Sequence, residues 1–140
     1  MAVSTSPAGE AQIEFANGKK TTVRKERGQV GISQPQVAFD GSIGWLADYR
    51  VVGAAEPISG TLVVWRLGKI VRRFGSEQCF YSWAFFAHGT RVAYHTGPLH
   101  GDQRSHCELR DVASGRLLAV WDGDLEGTTD RPDWTEGLSH

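Results

Sequence analysis

The sequence predicts an all-β protein made of antiparallel sheets, and three observations predict it. A unit of about 46 residues recurs along the chain. Within each unit, short segments rich in β-branched and aromatic residues are punctuated by Gly, Asp-Gly and Gly-Lys turns, as strands and hairpins require. No apolar stripe of period 3.6 and useful length runs along the chain, so no helix is predicted.

The first element is half a unit. IEFANGKKTTV, residues 13–23, reads as strand, turn and strand, with Asn17-Gly18 in the residues of a type I′ hairpin. The first full unit follows as VAFDGSIGWLADY (37–49) and TLVVWRLGKIVRRF (61–74). In LVVWRL the apolar residues fall on both faces, the pattern of a strand covered on both sides. The second unit is WAFFAHGTRVAYHT (83–96) and HCELRDVASGRLLAVW (106–121). Ala38-Phe39 aligns with Ala84-Phe85, Gly41 with Gly89, Val64 with Leu109, Leu67 with Val112 and Gly68-Lys69 with Gly115-Arg116. Spacings of 46, 48, 45 and 47 residues at independent anchors argue against coincidence. In CELRDV, Cys107, Leu109 and Asp111 alternate with Glu108, Arg110 and Val112, the period of a strand. The expected organisation is a flexible N-terminus over 1–12, a single all-β repeat domain over 13–121 and an acidic C-terminal tail over 122–140.

These residues carry a resemblance. CELRDVASGRLLAVWDG resembles the outer strand, turn and next inner strand of WD-repeat and related bacterial β-propeller repeats, and WAFFAHGTRVAY resembles the strands that follow. The likeness spans residues 13–121 and departs from the family at His88, where an aspartate is usual, and in the number of copies, two and a half. QVGISQPQVAFDGSIGWL and LHGDQRSHCELRDVASGRLLA are also similar to stretches of small bacterial proteins with no assigned activity. The resemblance implies propeller-blade-like sheets. Propellers close with about four to eight blades, so two and a half leave apolar faces and strand edges to cover. Self-association is therefore expected, as a dimer ahead of a trimer.

Composition narrows the function classes. A chain of 140 residues with 40% hydrophobic residues and five tryptophans is one folded domain with its own core. Trp45, Trp65, Trp83 and Trp121 fall in strands and are expected inside. Fifteen basic residues nearly cancel sixteen acidic ones, which excludes a strong field toward nucleic acid or an anionic membrane. The charges are segregated all the same. KKTTVRKER (19–27) holds five cations, and DGDLEGTTDRPDWTE (122–136) holds six anions; both read as solvated faces. Lys19, Lys20, Arg24, Lys25, Lys69, Arg72 and Arg73 read as edge-strand charges that discourage pairing. MAVSTSPAGEAQ lacks the basic start and apolar run of a signal peptide, and no stretch approaches the length of a membrane span, so a soluble chain is expected in an undetermined compartment. Cys79 and Cys107 follow no metal or redox spacing.

The candidate functional stretch is HTGPLHGDQRSHC, residues 95–107, with three histidines, an aspartate and a cysteine. It is the counterpart of RVVGAAEPISG (50–60), which contains no histidine, so the fold does not require these residues. His95, His100, Asp102, His106 and Cys107 are the donor types that zinc takes, but adjacent strand residues such as His106 and Cys107 point to opposite faces and do not share one ion. No metal or other cofactor is expected. Ser82, Ser105 and Ser114 are possible nucleophiles without a G-x-S-x-G elbow, and Asp102, Glu108 and Asp111 are possible carboxylates, with Asp111 placed at a turn. No phosphate-binding glycine loop occurs.

The functional expectation is a non-catalytic binding or assembly module whose recognition surface is the polar loop 95–106, with His95, His100, Asp102 and His106 as binding residues. Trp134 in the tail either docks back onto the body or serves as a recognition anchor. A protein or a small ligand is the expected partner. The contending expectation is a small metal-dependent or histidine-based hydrolase using the same loop.

Overall fold

The computed structural model describes residues 1–98, 105–126 and 130–139. Eleven strands follow in chain order among them: β1 Ala2–Thr5, β2 Ala11–Glu14, β3 Lys20–Val23, β4 Gln29–Val37, β5 Ile43–Tyr49, β6 Ile58–Arg66, β7 Lys69–Gly75, β8 Cys79–Phe86, β9 Arg91–Gly97, β10 Ser105–Asp111 and β11 Leu117–Gly123. They form three antiparallel sheets, each a run of neighbours: an N-terminal sheet β1-β2-β3, a middle sheet β4-β5-β6-β7 and a C-terminal sheet β11-β10-β9-β8. Among the described residues no closed barrel or propeller ring is formed.

The two four-stranded sheets repeat each other. β5, β6 and β7 begin at residues 43, 58 and 69, and β9, β10 and β11 at 91, 105 and 117, which keeps the spacing between 47 and 48. Gly41 and Gly89 each follow the first strand of their sheet at positive φ, and Gly68 and Gly115 sit likewise in the turn between third and fourth strands. The equivalent turns touch: the Asp40 amide donates to the His88 carbonyl over 3.1 Å. A side chain on Gly89 would strike the Asp40 carboxylate and the Ala38 methyl, so glycine is required there by space as well as by φ.

Burial explains the stacking. β6 is covered on both sides, as LVVWRL predicts. Val63 and Trp65 join Trp45, Ile43 and Ala47 beneath Ala11 and Ile13 of the N-terminal sheet, whereas Leu62 and Val64 join Phe74 against Phe80, Trp83, Val92 and Tyr94 of the C-terminal sheet. The middle sheet is therefore the filling of a three-layer sandwich. Trp83 is 1% exposed, and its Nε1 donates to the Gln34 carbonyl at 2.9 Å. Gly44 lies against the Trp83 ring, and any side chain there would overlap it.

Several sequence expectations change. Residues 1–12 are not a loose end: β1 pairs with β2 from Ala2↔Glu14 to Thr5↔Ala11, and Ala11 is buried. AVST has no apolar alternation to announce a strand, and its partner supplies the order. The 122–140 segment is not a separate tail either. β11 runs to Gly123, and Leu125, Trp134 and Leu138 then pack with Ala93, Cys107 and Leu109 on the outer face of the C-terminal sheet. Arg131 fastens this cover by donating to the carbonyls of Leu125 (2.7 Å), Leu138 (2.6 Å) and Thr135. The 15–19 turn is not type I′. Gly18 has positive φ but Asn17 does not, and the Gly18 amide donates to Phe15, giving a three-residue loop with glycine in the left-handed position. Trp45, Trp65 and Trp83 are buried as expected, and Trp121 is half-buried. Cys79 and Cys107 are both free thiols. No helix in the described residues is long and apolar enough to cross a membrane.

Candidate functional site

The alternation of β10 sorts its side chains. Ser105, Cys107 and Leu109 point to the covered outer face and are buried; His106, Glu108 and Arg110 point the other way, beside Thr96, Tyr94 and Val92, their register partners on β9. This second group borders a groove of about 350 Å³ lined also by Gly75, Ser76, Glu77 and Gln78, the end of β7 and its connection to β8. A neighbouring cavity of about 280 Å³ shares Tyr94 and Arg110 and adds Arg72, Arg73 and Ser114.

The groove floor is a connected ionic cluster. Glu108 sits at its centre. One carboxylate oxygen accepts from Tyr94 Oη at 2.8 Å and from Arg110 Nη2 and Nε at 2.7 and 3.0 Å. The other lies 2.8 Å from His106 Nε2. His106 Nδ1 lies 2.7 Å from Asp122 Oδ1, so the ring is held between two carboxylates. Burial alone would lower the His106 pKa, but its bonds to Asp122 and Glu108 outweigh burial and hold it above the ordinary histidine value. Burial alone would raise Glu108, and the bonds from His106, Tyr94 and Arg110 outweigh it, holding the carboxyl below its ordinary range. Tyr94 is pushed up to about 12 by burial and by the Glu108 carboxylate. The cluster therefore presents imidazole, carboxylate and guanidinium in alternation along one strand.

Chemically this arrangement suits recognition better than proton transfer. An imidazole with both nitrogens engaged by carboxylates has no free lone pair to act as a base. None of the three candidate serines meets it. Ser82 Oγ bonds Ser139 in the C-terminal cover at 2.8 and 3.1 Å, Ser114 is held by Asp111 in the β10–β11 turn, and Ser105 Oγ is buried on the opposite face with no hydrogen-bond partner among the described residues. Asp111 is thus a turn residue, as its position suggested. No group of three or more His, Cys, Asp or Glu side chains among the described residues is arranged to hold a metal ion.

The expected binding residues are divided by the sheet. His95 lies on the covered face, 2% exposed, with Nδ1 3.1 Å from the Ser139 carbonyl and its ring 5.2 Å from Tyr81. It anchors the C-terminal cover and is no part of an open surface. Trp134 packs in that same cover, docked back onto the body, the first of its two expected readings. Among the expected residues that are described, only His106 reaches the groove. His100 and Asp102 lie outside the described residues. The sequence reading missed Tyr94 and Arg110, and weighed Glu108 only as a possible catalytic carboxylate. A signal was present: His106, Glu108 and Arg110 occupy alternate positions where the first unit has Thr61, Val63 and Trp65. In comparison with known proteins, no family model matches the chain and no curated protein matches it.

Proposed function

We propose that the chain is a non-catalytic binding module that takes a small polar ligand, or a peptide terminus bearing a carboxylate, in the groove floored by His106, Glu108, Arg110 and Tyr94. The observation that carries this reading is the charged strand face itself: at the positions of Glu108 and Arg110 the middle sheet has Val63 and Trp65, apolar and covered, so the fold does not require the charges. The Arg110 guanidinium and the His106 imidazole flank the Glu108 carboxylate, and the adjoining cavity adds Arg72 and Arg73. Arg73 is paired with Glu26, while Arg72 donates to the carbonyls of Val112 and Ala113, so its charge is directed by backbone rather than by a carboxylate. An anionic group suits that end of the groove.

We also read the two larger sheets as propeller-type blades. Their matched strand order, matched turn glycines and face-to-face stacking support the reading. The layered covers on both outer faces remove the original reason for assembly through sheet faces, so self-association belongs to an edge.

The test is an NMR titration at low salt with malonate and, separately, inorganic phosphate. Malonate at millimolar concentrations is expected to shift the Arg110 Nε and Gln78 side-chain resonances of the wild type and to leave an Arg110→Leu/Glu108→Val variant unmoved. Shifts with phosphate but not malonate would reassign the ligand class. No shift in the groove with either would overturn the reading.

A further inference from the structure

The three sheets have six outer strands among the described residues, and five of them are guarded against pairing. β4 contains Pro35 and two register irregularities, and its Gln34 and Gln36 side chains donate to the carbonyls of Tyr81 and Trp83 on β8, which occupies both edges at once. β7 carries Lys69, Arg72 and Arg73. β3 begins at Lys20 and is followed by Arg24 and Lys25. β1 is only four residues long. Short edges, prolines and cations are the usual means by which soluble sheets avoid joining end to end.

β11 has none of these. It is seven residues long, LLAVWDG, without lysine, arginine or proline; the one irregularity in its ladder with β10 lies at its start, and among the described residues it pairs with β10 alone. Leu117 and Val120 are 42% and 45% exposed beside that open edge. An unguarded, partly apolar edge in a chain that guards the others is the signature of an edge in use.

We propose that a second copy of this chain pairs with β11, antiparallel about a two-fold axis, joining two C-terminal sheets into one continuous sheet. The strand is its own complement. A two-fold axis at Ala119 sets Arg116 opposite Asp122 of the second copy, and one at Val120 sets Arg116 opposite Asp124, so either register forms two opposite-charge pairs. The same symmetry brings Leu117 and Val120 of each copy against the other strand and removes their apolar surface from water. An unrelated extended peptide would gain the backbone bonds but not the paired charges. This inference does not depend on the ligand reading of the groove.

Sedimentation velocity over a concentration series tests it. The wild type is expected to be a dimer at micromolar concentrations and to dissociate more readily as salt rises. Val120→Lys puts a cation on the shared edge, opposite its own copy with the axis at Val120 and opposite Leu118 with the axis at Ala119, and is expected in either register to weaken the dimer at least roughly tenfold while leaving the far-UV circular dichroism and the thermal midpoint of the monomer unchanged. Should Val120→Lys fail to fold, Arg116→Asp, a change on an exposed turn, is expected to weaken the dimer and abolish its strengthening at low salt. A wild type that stays monomeric at the highest attainable concentration overturns the proposal. So does a folded Val120→Lys or Arg116→Asp variant that dimerises as tightly as the wild type.

Discussion

In the middle sheet the paired residues Ile43–Trp65, Trp45–Val63 and Ala47–Thr61 face the preceding sheet; in the C-terminal sheet the equivalent pairs are Val92–Arg110, Tyr94–Glu108 and Thr96–His106. The registers are the same and the chemistry is not. In the middle sheet Phe15 and Ile13 of the N-terminal sheet close over the third strand, with the Phe15 and Trp65 rings 6.2 Å apart. In the C-terminal sheet the first strands are covered by the middle sheet, through Phe74 against Tyr94, beside which Phe80 of β8 packs, while the third strand emerges into the groove. What differs is the cover: one backbone pattern carries a dry apolar layer where it is roofed and an ionic cluster where it is not.

Exchanging the two chemistries gives the largest expected effect. Val63→Glu puts a carboxylate under the N-terminal sheet with no partner, and is expected to destabilise by about 4 kcal/mol or more, through desolvation of an unpaired charge. Urea denaturation measures it; a loss under about 1 kcal/mol would mean that this layer is open to water. The reverse exchange is milder and non-additive. Glu108→Val alone takes the only carboxylate from Arg110 among the described residues and one of two from His106, and is expected to cost about 1–3 kcal/mol, whereas adding Arg110→Leu is expected to recover most of that loss. A double-mutant cycle in urea checks this, and simple additivity would mean that the two side chains do not act together.

The smallest effect is in pH dependence. His106 is raised in the folded state, so its contribution to stability is complete below the ordinary histidine value and is lost as pH rises through the raised one. Glu108 is lowered, so its contribution is present above the ordinary carboxylate range and is lost as pH falls through the lowered value. Denaturation midpoints of wild type and His106→Gln, compared from about pH 5 to 9, are expected to converge as pH rises. A constant difference across that range would place the histidine's role in packing alone.

Much of the fold was legible because it rests on local signals. The period of the repeat, the strand alternation of β10 and the two apolar faces of β6 are all visible as residue spacing. So was the division of His106 from Cys107 across the sheet. The N-terminal strand and the C-terminal cover were not legible, since AVST and RPDWTEGL carry no periodicity, and both are ordered by partners far away in sequence. The site was legible only in part for a related reason. A cluster of histidines draws attention as composition, yet one side of β10 sends His106 to an open groove while the neighbouring strand sends His95 under the C-terminal cover. Tyr94 and Arg110 gain their meaning only from the pairing of β9 with β10.

The C-terminal cover also bears on how such a chain lengthens. Among the described residues each sheet packs on its neighbours, as units do in a linear array, and the last unit is closed by Leu125, Trp134 and Leu138. The junction after Gly123 is therefore a natural splice point. Another four-stranded unit inserted there would take the existing outer face as its floor and hand its own outer face to the same closing segment, which acts as a transferable end piece.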